Sequence, residues 1–144
     1  RLTGWREALK EAGVAENPAW IYTAPFTREG GYQAAQQMLQ GKTRPRALFT
    51  SNEAQAIGFI RRLAEQGLRV PEDVALVCFN GTGLAAFQVP SLTCARQPVE
   101  EMAKAAISML RGWKGKPTLR EFSHRLEPGE SCGCQSARKD DNDK

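Results

Sequence analysis

Apolar side chains at Leu2, Trp5, Ala8, Leu9 and Ala12 recur at helical spacing, and Gly13 stands where a C-cap would, so residues 1–12 read as a helix. The run Trp20-Ile21-Tyr22-Thr23 is short and β-rich and predicts a strand. Thr27 caps the next helix, which carries Tyr32, Ala35, Met38 and Leu39 and closes at Gly41. Arg46-Ala47-Leu48-Phe49-Thr50 predicts the second strand. Ser51-Asn52 then opens a helix that runs to about Gln66, with Gly67 ending it. Pro71-Glu72-Asp73 is a turn, and residues 74–79 form a third strand, apolar throughout, the pattern of a strand covered on both faces.

Helix and strand thus alternate through the first two-thirds of the chain, which predicts an α/β fold with a parallel sheet flanked by helices. The remainder differs. Residues 80–89 form a loop of small residues, 92–97 a short strand, and 99–111 a helix with Val99, Met102, Ala103, Ala106, Ile107 and Leu110 on one face. Residues 118–126 predict a final strand, and the polar residues 136–144 a disordered tail or linker. There is no internal repeat. On the helix after Asn52, the residues Ala56, Ile57, Phe59, Ile60, Leu63 and Ala64 cover roughly 160° of the circumference, wider than the ~100° stripe of a surface helix. Two readings follow: a helix wedged between sheet and neighbouring helix, or a helix that also meets a partner subunit.

Composition removes several classes. Of 144 residues, 41% are hydrophobic and 25% charged, which excludes disordered and collagen-like chains. The net charge of +4 comes from scattered Lys and Arg, a solvated surface rather than a nucleic-acid patch. No apolar run is long enough to span a membrane, and no secretory signal is visible. Cys78 lies in an apolar run and reads as a buried thiol. Cys132 and Cys134 with the lone His124 give at most three metal ligands where a structural zinc site takes four, so neither metal nor cofactor is expected. Free thiols fit a reducing cytoplasm. The chain opens at Arg1 directly into a helix, which leads to the expectation that it is part of something longer.

In an open parallel sheet, ligands bind outside the carboxyl ends of the strands. Those ends deliver Phe26 from the first strand, Ser51, Asn52 and Glu53 from the second, and Asn80, Gly81 and Thr82 from the third. An aromatic plate covers the apolar face of a sugar or stacks on a purine, and Asn both donates and accepts. Such a set recognises a small polar molecule. Plainer roles stand beside this one: Asn52 as an N-cap, Asn80-Gly81 as a turn pair, and Phe26 as a staple against the next helix. No nucleophile–base pair assembles and no phosphate-binding Gly fingerprint follows a strand, so an enzyme is not expected.

These residues carry a resemblance. Arg1-x-x-Gly4-Trp5-x-x-Ala8-Leu9-x-x-Ala12-Gly13 resembles the start of the C-terminal half of the effector-binding domain of the lac repressor/galactose repressor family. Further motifs follow in that family's order: Phe26-x-x-x-x-Gly31-Tyr32, Arg44-Pro45-x-Ala47-Leu48-Phe49, Asn52-Glu53-x-x-Ala56-Ile57-Gly58, Gly67-Leu68-Arg69-Val70-Pro71-Glu72-Asp73-Val74, Pro90-x-Leu92-Thr93 and Arg96-Gln97-Pro98. Glu130-Ser131-Cys132 matches the family's final strand. The resemblance covers about residues 1–132. It implies a two-lobed, type I periplasmic-binding-protein-like fold, of which residues 1–135 supply mostly the C-terminal lobe, with 99–111 packing in the other lobe.

By position the resemblance makes Arg1, Phe26, Asn52, Asn80 and Gln97 effector-binding residues, and Ala56, Phe59, Ile60 and Leu63 a homodimer contact. It implies a ligand-responsive regulator whose DNA contact belongs to a helix-turn-helix headpiece absent from the chain. Two departures matter. Asn80 stands where the family has an Asp, which exchanges an anionic acceptor for a neutral donor–acceptor. Ser131-Cys132-Gly133-Cys134 resembles endings found where this domain is fused to a signalling output. The alternatives are accordingly the sensor of a cytoplasmic signalling fusion, such as a diguanylate cyclase or histidine kinase, and a transporter's solute receptor.

Overall fold

Two helices form the best-packed layer of the computed structural model, which describes residues 1–134. The Thr27 hydroxyl accepts the Gly30 N–H at 3.0 Å and starts α2 (Arg28–Gln40). The Asn52 side chain accepts the Gln55 N–H at 2.8 Å and starts α3 (Glu53–Glu65). Each cap satisfies a donor that a helix start leaves free and is worth about 1 kcal/mol. α2 and α3 cross at Gly31 and Gly58, where their backbones touch. A β-carbon on Gly31 would overlap the Gln55 carbonyl, and one on Gly58 the Arg28 carbonyl.

Under this layer lies a sheet in the order β1 (Ala47–Thr50), β2 (Ala75–Phe79), β3 (Thr93–Arg96) and β4 (Arg125–Glu127). The first three strands are parallel, as the alternation of elements predicts, and β4 runs antiparallel to β3 with Glu127 opposite Cys94. Met38, Phe59, Leu63, Val74, Leu76, Cys78 and Cys94 fill the space between helices and sheet. In β2 the side chains alternate: Leu76 and Cys78 point into this core and are fully buried, while Ala75, Val77 and Phe79 face the other side and are half-buried. The strand is apolar on both faces, yet only one face is fully covered. The other two helices contribute little to the core. α1 (Leu2–Glu11) buries no residue, and α4 (Val99–Arg111) buries Ala105. None of the helices among the described residues is long and apolar enough to cross a membrane.

Several expectations need correction. Residues 20–23 are not a strand. Pro18–Trp20 form a 3-10 turn, held by the Asn17 side chain accepting the Ala19 N–H, and residues 21–25 join no ladder. A β-rich run becomes a strand only where a neighbour offers hydrogen bonds. Here residues 21–24 and β1 line a common cavity of about 330 Å³ and form no ladder with each other. Glu130–Cys132 is a 3-10 turn instead of a final strand. The Ser131 hydroxyl donates to the Leu76 carbonyl at 2.7 Å and accepts the Thr93 N–H at 2.9 Å, so a side chain does the work of a ladder. The strand expected over 118–126 is shorter and later, and the loop 80–89 contains a 3-10 helix, Gly83–Phe87, capped by Thr82. The tail at 136–144 lies outside the described residues.

Candidate functional site

Because β1, β2 and β3 are parallel, their carboxyl ends share one edge, and most of the residues singled out in the sequence gather there. The Arg1 guanidinium stands 4.4 Å from the centre of the Phe79 ring and 5.9 Å from that of Phe26. Phe49 meets Phe79 edge-on with centroids 6.5 Å apart, and the His124 ring lies 4.7 Å from Phe79. A cation held over aromatic faces contributes about 0.5–2 kcal/mol and holds the rings in place. Phe26 is 63% exposed, so it is not a staple buried against α2. It presents an open aromatic face.

Asn52 has two partners. Its Oδ1 caps α3, and its Nδ2 donates to the Phe26 carbonyl at 3.1 Å, which fixes the aromatic plate to the helix start. Asn80 follows β2 directly and adopts φ +56°, the left-handed region that Asn tolerates better than most residues. Its backbone N–H donates to the Ala95 carbonyl at 3.0 Å, so β2 and β3 stay joined at this edge. Its Oδ1 is buried with no partner among the described residues. Glu53 is only 6% exposed; its Oε2 accepts the Thr82 N–H at 2.7 Å, while its Oε1 is likewise buried and unpaired. An unsatisfied buried acceptor costs about 1–3 kcal/mol. Gln97 leaves β3 at the same edge, half-buried, with its carbonyl accepting the Val99 N–H at 2.9 Å.

The grouping is partial. The cavity between α1 and β1 is lined by Arg1, Trp5, Tyr22, Phe26 and Phe49, and Asn52, Asn80 and Gln97 are not in its wall. The wide apolar arc of α3 is also used differently from the subunit contact that the resemblance implies. Ala56, Phe59 and Leu63 are buried inside the chain, between α2 and the sheet, and of the four assigned residues Ile60 alone keeps surface. The wedge reading therefore accounts for the arc's width.

Phe79 and His124 were not singled out as ring partners of Arg1 and Phe26. The aromatic before Asn80 could have drawn attention to Phe79; nothing in the periodicity points to His124, which reaches the site from beyond α4. Cys78 and Cys94 are neighbours across β2 and β3, and burial pushes the Cys78 thiol up to about 12, with Cys94 and Glu53 adding to the effect. Among the described residues no three His, Cys, Asp or Glu gather as metal ligands.

Residues 1–132 match the family model of the periplasmic binding protein-like domain. The chain is 37% identical over 128 residues to the ribose operon repressor of Escherichia coli, covering 89% of this chain and 39% of that protein. It is 38% identical over 110 residues to the HTH-type transcriptional repressor PurR of Klebsiella pneumoniae, covering 76% of this chain and 32% of that one. Among solved structures it resembles a sugar-binding transcriptional regulator of the LacI family from Escherichia coli, complexed with phosphate, with a TM-score of 0.81 and 30% identity over 91% of this chain and 48% of that one. The chain thus spans less than half the length of these relatives. The mostly parallel sheet and a family match running from Arg1 to Cys132 agree: the chain belongs to the periplasmic binding protein-like domain family.

Proposed function

We propose that this chain is the effector-sensing part of a ligand-responsive transcriptional regulator, and that it binds a small polar molecule, sugar- or purine-like, at the carboxyl edge of its sheet. The observation that carries this reading is the pairing of two chemistries at that edge. Arg1 stands over both the Phe79 and the Phe26 rings, while Asn80 Oδ1 and Glu53 Oε1 are buried acceptors that lack donors among the described residues. A polyhydroxylated ring supplies both missing parts, an apolar face for the rings and hydroxyl hydrogens for the acceptors. The names of the ribose operon repressor and of the sugar-binding regulator lead in the same direction. Asn52 acts as a positioning residue, since both ends of its amide are engaged in holding Phe26 and α3.

Binding at the edge favours one arrangement of the lobes over another, and the difference in affinity between the two sets the size of the switch. The switch is read as DNA affinity by a helix-turn-helix headpiece outside these 144 residues. Two copies associate through the outward side of α3, around Ile57, Ile60 and Ala64, which brings two headpieces to a two-fold operator. The test is a thermal-shift screen of the full-length protein with D-ribose, other neutral aldoses and purine bases. One of these raises the melting temperature, and Asn80→Ala and Phe26→Ala each abolish the rise. Two variants that both keep the whole ligand-induced shift would overturn the site.

A further inference from the structure

The four cysteines of the chain fall into two pairs of opposite character. Cys78 and Cys94 lie side by side on β2 and β3, both fully buried, and burial raises both thiols, so they stay protonated and inert. Cys132 and Cys134 stand at the surface end of the turn Glu130–Cys132, the first half-buried and the second exposed.

The fold holds this second pair in a defined geometry. The Ser131 N–H donates to the Ser91 carbonyl at 2.9 Å, and the Ser131 hydroxyl bridges Leu76 and Thr93, so the backbone entering Cys132 is clamped to two strands. Gly133 then takes φ +71°, a left-handed turn that glycine adopts without penalty. The chain doubles back, and the Cys134 N–H donates to Cys132 Sγ at 3.2 Å. Residues two apart are separated by at most about 7 Å when extended. A turn brings their α-carbons inside the roughly 4.4–6.8 Å window of a disulfide.

We propose that Cys132 and Cys134 are a reversibly oxidisable dithiol, in which Cys132 attacks a hydroperoxide and Cys134 resolves the product into a disulfide within the chain. In the first step the Cys132 thiolate attacks the peroxide oxygen. The O–O bond breaks, hydroxide leaves, and Cys132 becomes a sulfenic acid. In the second step Cys134 sulfur attacks Cys132 sulfur, the S–O bond breaks, and the hydroxyl departs as water with the Cys134 proton. The balance is two thiols and one hydrogen peroxide giving one disulfide and two waters. Sulfur is oxidised and peroxide reduced.

The surroundings suit these unequal roles. Burial opposes ionisation of Cys132, but the Cys134 thiol, the Thr93 hydroxyl and the backbone N–H groups of Cys134 and Cys132 outweigh it and hold the Cys132 thiol below its ordinary value. Cys134 moves the other way, raised first by that shared hydrogen bond and then by the charge on Cys132. The more acidic thiol thus stands beside the less acidic one, the arrangement of an attacking and a resolving thiol. A disulfide closing so small a ring at an exposed site belongs to the readily reduced kind.

The experiment uses the full-length protein, reduced and then exposed to hydrogen peroxide. Free thiols are counted with a maleimide–polyethylene glycol and the tryptic peptide spanning 126–138 is weighed. The expected result is loss of two of the four thiols of residues 1–144, a 126–138 peptide lighter by two hydrogens, and full recovery with dithiothreitol. Cys134→Ser stops at a dimedone-reactive sulfenic acid on residue 132, and in Cys132→Ser the remaining Cys134 oxidises at least about tenfold more slowly than Cys132 does in Cys134→Ser. Cys78 and Cys94 serve as an internal check of folding in every variant: they stay unlabelled until denaturant is added. Four thiols surviving peroxide, a disulfide mapped between two copies, or a disulfide mapped to Cys78 and Cys94 would each overturn the proposal.

Discussion

α3 and α4 are each thirteen residues long and each carries an apolar face, but α3 buries six residues and α4 one. The difference lies in their neighbours. α3 lies between α2 and the sheet, so Ala56, Phe59 and Leu63 are removed from water on two sides. α4 leaves β3 and presents Val99 and Leu110 to solvent at 65% and 74% exposure. An amphipathic repeat states that a helix will seek cover; it does not state what covers it. For α4 the sequence resemblance implies a second lobe as that cover.

The largest test of this contrast is Phe59→Ala. It removes a fully buried ring from the centre of the layer and is expected to cost about 3–5 kcal/mol, read by urea unfolding. A loss under about 1 kcal/mol would mean that the α2–α3 layer is not the core. Ile60→Glu acts at the outer edge of the same helix. Its cost to the protomer is about 1 kcal/mol, because half of the side chain is covered. In the full-length protein it is expected to turn dimers into monomers by sedimentation; an unchanged dimer would remove α3 from the contact. The smallest effect belongs to α4. Leu110→Ser in this chain is expected to change unfolding by no more than about 0.5 kcal/mol, since there is little burial to lose. A loss well above that would show that α4 is covered in solution.

Much of this architecture was legible in the sequence because it is local. Thr27 and Asn52 announce their helices by side-chain caps a few residues long, the boundaries of α2 and α3 follow from caps and glycines, and α4 follows from its apolar face. The parallel run β1–β2–β3 follows from the alternation of elements. Where the reading failed, the missing information was not local. Trp20-Ile21-Tyr22-Thr23 has strand composition but no ladder partner across the cavity beside β1. Glu130–Cys132 has the family's strand motif but is tied down by the Ser131 side chain. The candidate site divides the same way. That Asn52 and Asn80 share an edge follows from their positions at strand ends, whereas Phe26 follows no strand and is tied there by the Asn52 amide. That Asn52 uses its amide on Phe26 while Asn80 and Glu53 keep a buried acceptor unpaired appears only when the strands are set side by side.

The sequence by itself determined the family, most of the succession of helices and strands, and the sheet edge at which Asn52 and Asn80 stand, because periodicity, caps and motifs act over a few residues. The tertiary structure decided which way the apolar arc of α3 points, which faces stay uncovered, and that Arg1 and His124 both meet the Phe79 ring. Those outcomes depend on contacts between residues far apart in the chain, and no local pattern encodes the partner of a surface that must be buried.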